Sequence, residues 1–157
     1  MNLELKCVFF LTEILNTDKV GHSGRTLWVH LRNTAQILTS WGEPPHVVLA
    51  GMFHSIYGTS YFKVVSFPYE GRFIISNLIG REAEEIAYEF CRSDRSKFPW
   101  AEYSSHKKEL YTVEAANLID QNCQPIHIKR LLDSGVLSNK ASDVCGKYIG
   151  DSDVKSA

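Results

Sequence analysis

The stretch from Gly42 to Ser55 constrains the fold more than any other part of this sequence. Gly42-Glu43-Pro44-Pro45 is a firm break. Proline is tolerated in the first turn of a helix, because the N–H it lacks would find no intrahelical acceptor there. The run Val47-Val48-Leu49-Ala50-Gly51-Met52-Phe53 that follows is apolar nearly all round. A helix of that kind belongs at the centre of a domain, so a central helix is predicted over residues 45–57. Ala50 and Gly51 leave room for a neighbour to approach closely. The run ends on His54-Ser55, and polar groups at the end of a buried helix must find partners or bind something.

Helical spacing accounts for most of the remaining chain. Leu3, Cys7, Phe10, Leu11, Ile14 and Leu15 mark a helix over residues 3–16, and Leu31, Ala35, Ile37 and Leu38 mark another over 27–41. Further helices are expected at 70–78, 80–92, 107–122, 125–134 and near 140–149. A polar connector lies at 18–27, a loop rich in aromatics (Tyr61, Phe62, Phe67, Tyr69) at 58–69 and a long loop containing Phe98-Pro99-Trp100 at 93–106. No strand pattern of useful length alternates. The fold class expected is all-α, with about six to eight helices in one compact domain over residues 1–150 and a frayed polar tail at 151–157.

Composition narrows the function classes. With 157 residues and 44% hydrophobic content the chain is long enough to close one core. A net charge of −1 and the lack of a Lys/Arg cluster argue against nucleic acid as a partner. No stretch approaches the roughly 20 apolar residues needed to cross a bilayer. Val8-Phe9-Phe10-Leu11 is interrupted by Glu4, Lys6 and Glu13, so it does not read as a signal peptide. Cys7, Cys91, Cys123 and Cys145 stand in no metal-binding spacing and read as reduced thiols of a cytoplasmic protein. The partner expected is a small molecule, and a homodimer is allowed.

The residues that can carry chemistry sit at the start of the second helix and the end of the third, away from the turn that joins them. If these two form an antiparallel hairpin, His30 at the start of one lies beside His54 at the end of the other. Two imidazoles there could share a ligand. Adjacent helical residues point about 100° apart, so His54 is not placed to activate Ser55 as a nucleophile.

Taken in order, these residues resemble the HD metal-hydrolase superfamily. The pieces are His30-Leu-Arg-Asn-Thr-Ala-Gln-Ile-Leu, then Trp41-Gly-Glu-Pro-Pro, then Val48-Leu-Ala-Gly-Met-Phe-His54-Ser55. They are similar in particular to the hydrolase domain of the stringent-response guanosine-tetraphosphate enzymes. The upstream His22-Ser-Gly-Arg25, the Ile79-Gly80-Arg81-Glu82-Ala83-Glu84-Glu85-Ile86-Ala87 helix and Val113-Glu114-Ala115-Ala116-Asn117-Leu118 each resemble a segment of that domain. The resemblance covers about residues 19–122. It implies a helical HD-type fold and a divalent metal held by His30 and His54.

The chain departs from the pattern where the family places its negative charge. Ser55 stands in place of the HD aspartate and Asn117 in place of the last metal-binding aspartate. Tyr57-Gly58 replace the acid pair used in hydrolysis. Ions such as Mn²⁺ lean on carboxylate oxygens, so Mn²⁺-dependent pyrophosphohydrolysis is not expected.

Two designs remain open. In one, His30, His54 and Asn117, with His22 as an additional ligand, hold Zn²⁺ or Fe²⁺. In the other, a metal-free pocket uses His54 or His30 as acid or base, Ser55 and Asn117 as hydrogen-bonding groups, Arg25 as an anion clamp and Tyr57 as a weak acid. Catalytic candidates are therefore His22, Arg25, His54, Ser55 and Tyr57, and substrate-binding candidates are Arg25, Tyr57 and Asn117. Glu114 shares a helix face with Asn117 and reads either as a surface charge or as a group that orients a histidine. The expected activity is hydrolysis, lyase or isomerase chemistry, or metal-dependent oxidation of a small anionic or aromatic molecule. The alternative is a degenerate HD domain that binds a small molecule or regulates.

Overall fold

The computed structural model describes residues 1–156, with side chains through residue 154. Among the described residues there are eight α-helices: α1 (Leu3–Phe9), α2 (Leu27–Ser40), α3 (Pro45–Phe53), α4 (Arg72–Ile79), α5 (Arg81–Arg92), α6 (Lys107–Asp120), α7 (Pro125–Asp133) and α8 (Asn139–Ser156). The class is all-α. No helix among the described residues is long and apolar enough to cross a membrane. Residues 151–156, expected as a frayed tail, continue α8. No proline interrupts them, and the Ser152 hydroxyl donates back to the Tyr148 carbonyl at 2.8 Å. Ala157 lies outside the described residues.

Helix α3 occupies the centre, as its composition requires. Val47 and Ala50 pack into one core cluster with Leu38, Ile86, Phe90 and Leu110. Met52 and Phe53 pack into a second with Leu27, Leu31, Ile75 and Ile79. Close approach of α2 and α3 depends on Gly51: a Cβ there would stand 2.3 Å from Leu38 Cδ1. Pro45 occupies the first turn of α3, and the helix ends at Phe53 rather than near residue 57. His54 therefore caps the helix, and Ser55 and Tyr57 lie in the turn that follows.

Two short strands, β1 (Gly21–His22) and β2 (Arg25–Thr26), pair antiparallel with His22 opposite Arg25. No strand was expected here, because a two-residue pattern is too short to show alternation. The turn chemistry is nonetheless present. Ser23 (φ 48°) and Gly24 (φ 80°) both take positive φ, which a tight two-residue hairpin turn demands and glycine tolerates without strain. Thr26 then caps α2 by accepting from the Val29 N–H at 3.3 Å. This hairpin turns His22 inward: Gly21 is exposed and His22 is buried.

Candidate functional site

His30, on the first turn of α2, and His54, at the end of α3, meet as the hairpin argument requires. Their Nε2 atoms are 3.1 Å apart, and both rings are buried, at 0% and 1% exposure. The outer nitrogens are anchored. His54 Nδ1 lies 2.6 Å from the Gly51 carbonyl. That oxygen can only accept, so Nδ1 carries a proton. His30 Nδ1 lies 2.5 Å from the Asp120 carboxylate. Burial opposes ionisation of Asp120, but the hydrogen bond and charge of His30, with Asn33 and Arg25, outweigh it and hold its carboxyl below the usual range. An ionised carboxylate also only accepts, so His30 Nδ1 carries a proton too.

Two neutral rings would then turn bare lone pairs toward each other. Asn117 adds a third acceptor, with Oδ1 3.3 Å from His54 Nε2. The orientation of that amide is fixed, because its Nδ2 donates to Glu114 at 2.9 Å and its Oδ1 accepts from Gln121 at 2.7 Å. Three converging acceptors repel unless a proton or a cation lies among them. A proton completes the arrangement with groups already present: His30 becomes an imidazolium, bonded to Asp120 on one side and donating to His54 on the other. Burial holds His54 well below the ordinary histidine range, with the charge of His30 the next cause, so His54 stays neutral and accepts.

His22 packs on this pair from the β-hairpin. Its ring stacks on His30 with centroids 4.3 Å apart and planes 8° from parallel, and its edge meets Phe62 at 4.7 Å. Its Nδ1 is buried with no hydrogen-bond partner on another residue. Burial, then the charges of His30 and Arg25, push it down to about 4, so His22 is neutral at ordinary pH. What remains exposed of it, 8%, opens on a hollow of about 210 Å³ also lined by Ser55, Thr59, Phe62, Arg95 and Asn117.

Sequence-derived candidates fall into two groups. His22, His30, His54, Ser55 and Asn117 come together. Arg25 and Tyr57 do not line the hollow. The Arg25 guanidinium bonds the Asp120 carboxylate and, at 2.8 Å, the Asp120 carbonyl. It anchors His30 through Asp120 and has no place as an anion clamp in the hollow. Tyr57 follows a turn that carries its hydroxyl to Glu84, 2.9 Å away. Burial and that carboxylate push its ionisation well above the ordinary tyrosine value, so it is no weak acid for this site. Glu114 is buried, pairs with Arg95 at 2.5 Å and fixes Asn117.

Asp120, Gln121, Arg95 and Thr59 were not found from the sequence. Asp120 and Gln121 follow Asn117 by three and four residues, so the helical period could have placed both on its face. Arg95 and Thr59 sit in loops, where no periodicity reports direction.

The donor set does not fit the divalent centre that the HD resemblance implies. No carboxylate faces the meeting point of the two histidines, since Asp120 is held by Arg25 and His30 Nδ1. His22 cannot complete a three-histidine site with His30. A ring nitrogen binds an ion in its own plane, and two parallel stacked planes do not meet. Among the described residues, no group of three or more His, Cys, Asp or Glu side chains is arranged to hold a metal ion.

No curated protein and no solved structure matches the chain. A family model matches from Leu11 to Arg95. That span carries His22, Arg25, His30, His54 and Ser55 and stops before α6, which supplies Glu114, Asn117 and Asp120. The match covers more than half of the chain, which belongs to the family described as a domain of unknown function, DUF6817.

Proposed function

We propose that the hollow beside His22 is the acid–base site of a small, divergent HD-like enzyme acting on a small anionic or aromatic molecule. One observation carries this reading. A buried, neutral imidazole lines a polar hollow and carries a nitrogen with no hydrogen-bond partner on another residue, backed by a hydrogen-bonded Asp120–His30–His54 chain. A buried polar atom without a partner costs roughly 1–3 kcal/mol. A polar atom that no protein group satisfies, in a residue lining a cavity, is characteristic of a site built for a ligand.

The roles follow from the geometry. His22 is unprotonated at neutral pH and accepts a proton or hydrogen bond from a substrate O–H, C–H or water. Burial, and after it the charges of His30 and Arg25, keep it so. Ser55, Thr59 and the Asn117 amide orient the bound molecule, with the Arg95–Glu114 pair in the wall beside them. Hydrolysis by an activated water, or elimination or isomerisation begun by proton abstraction, suits this set. Metal-dependent oxidation does not, because the carboxylates such centres rely on are absent from it.

Two measurements on the purified protein test the reading. Phenyl phosphate should raise the melting temperature of the wild-type protein and not that of His22→Phe. Elemental analysis should find no stoichiometric metal. Zinc or iron at one per chain, lost in His30→Ala/His54→Ala, would replace the metal-free reading with the two-histidine metal site. Binding that persists unchanged in His22→Phe would remove His22 from the site and leave a binding or regulatory domain.

A further inference from the structure

Beyond Asn117 and Gln121 lies a second cavity of about 310 Å³, and Tyr61, Arg95, Asn117 and Gln121 belong to the walls of both. Ligand pockets commonly measure about 300–1,000 Å³. The inner hollow falls below that range and the outer cavity sits at its lower edge, whereas the two joined lie within it.

The outer cavity has a different chemistry from the inner one. Phe98 and Trp100 give it flat apolar walls, and both are braced by Tyr111, at centroid distances of 5.6 and 5.2 Å. Arg130, on α7, also lines this cavity. It is exposed, and among the described residues no acidic side chain pairs with it. Arg95 stands where the two cavities share a wall. Its side chain is 6% exposed, lies 4.4 Å over Phe90 and bonds Glu114 and Thr59 through its Nη atoms. Its Nε is buried with no acceptor. A buried guanidinium with donor capacity left over is the second mark, after His22 Nδ1, of a site not completed by protein groups alone.

We propose that the two cavities form one two-part ligand site, and that its ligand is an elongated molecule with a planar aromatic body and an acidic group at each end. One acidic end lies in the inner hollow beside His22 and Arg95. The ring lies against Phe98 and Trp100. The other acid pairs with Arg130. This inference rests on the reading of the inner hollow as the acid–base site and adds to it the substrate class.

The test compares 4-carboxyphenyl phosphate, phenyl phosphate and inorganic phosphate by calorimetry on the full chain. In the wild-type protein the two-ended probe should bind about tenfold more tightly than phenyl phosphate, and inorganic phosphate more weakly than either. Arg130→Glu, an exposed change that leaves the core intact, should abolish that advantage and leave phenyl phosphate unaffected. His22→Phe should weaken both aryl phosphates. The Trp100 indole resonance should shift with the aryl probes and not with inorganic phosphate. Equal affinity for the two aryl phosphates, or an Arg130→Glu protein that keeps the difference, overturns the two-part site and leaves the inner acid–base reading standing. Indifference to His22→Phe overturns that inner reading, and the two-part site with it.

Discussion

Two clusters of buried polar groups lie on opposite ends of the same short turn, and they are built to opposite rules. At one end, Glu84 is 3% exposed and fully engaged. Arg72 donates to both its oxygens at 2.7 Å, and Tyr57 donates to one of them at 2.9 Å. Arg72 itself lies 3.5 Å over the Tyr88 ring. Neither oxygen of this carboxylate is left bare. At the other end, the histidine cluster leaves His22 Nδ1 without a partner on another residue, and His22 lines a hollow. Burial of charge or polarity is common to both, so burial alone does not mark a site. Unspent hydrogen-bonding capacity next to open volume does.

The largest expected effect comes from breaking the satisfied cluster. Glu84→Ala removes both partners of Arg72 and strands the Tyr57 hydroxyl, and should cost about 2–4 kcal/mol in urea denaturation. Phenyl phosphate affinity per folded molecule should not change. A loss of binding without a loss of stability would reverse the assignment of the two clusters.

Acid should act next, through the other cluster. His22, at about 4 in the folded chain, lies below its ordinary value of 6.5, and His54 moves in the same direction. The unfolded chain therefore binds more protons across this window. The stability gained by keeping these rings neutral is complete above about pH 6.5 and is lost as pH falls toward 4. Denaturation midpoints measured from pH 7 to 4 check this. His22→Phe should flatten the slope by the share of His22, and an unchanged slope would contradict the buried, neutral ring.

Tyr57→Phe removes one hydrogen bond from the closed cluster. It should cost about 1 kcal/mol and leave ligand binding untouched. Smallest of all is the stability change in His22→Phe. The new ring fills similar volume against His30 and Phe62 and removes an unpartnered polar atom, so the change should stay within about 1 kcal/mol. A large destabilisation would make His22 a structural residue like Glu84.

How much of this was legible in the sequence differs between the same two clusters. The meeting of His30 and His54 followed from a short turn and an apolar helix, because helix period and hairpin geometry fix which ends lie together. Gly51 announced the close contact with Leu38 in the same way. Tyr57 was misplaced because α3 ends four residues before it, and past a helix end the period no longer says where a side chain points. Arg25 was read as an anion clamp because its partner, Asp120, comes from a helix more than ninety residues away. Arg95 is a loop residue defined only by tertiary contacts, and nothing local in the sequence distinguishes it from its neighbours.

The protons on the four ring nitrogens of His30 and His54 test the account most directly, and histidine-selective ¹⁵N spectra at pH 7 count them. Three are expected: one on each Nδ1, held by Asp120 and Gly51, and one on His30 Nε2 directed at His54. A pair carrying only two, with both Nε2 atoms bare and shifted as metal ligands are, would contradict the account and put an ion where a proton is assigned.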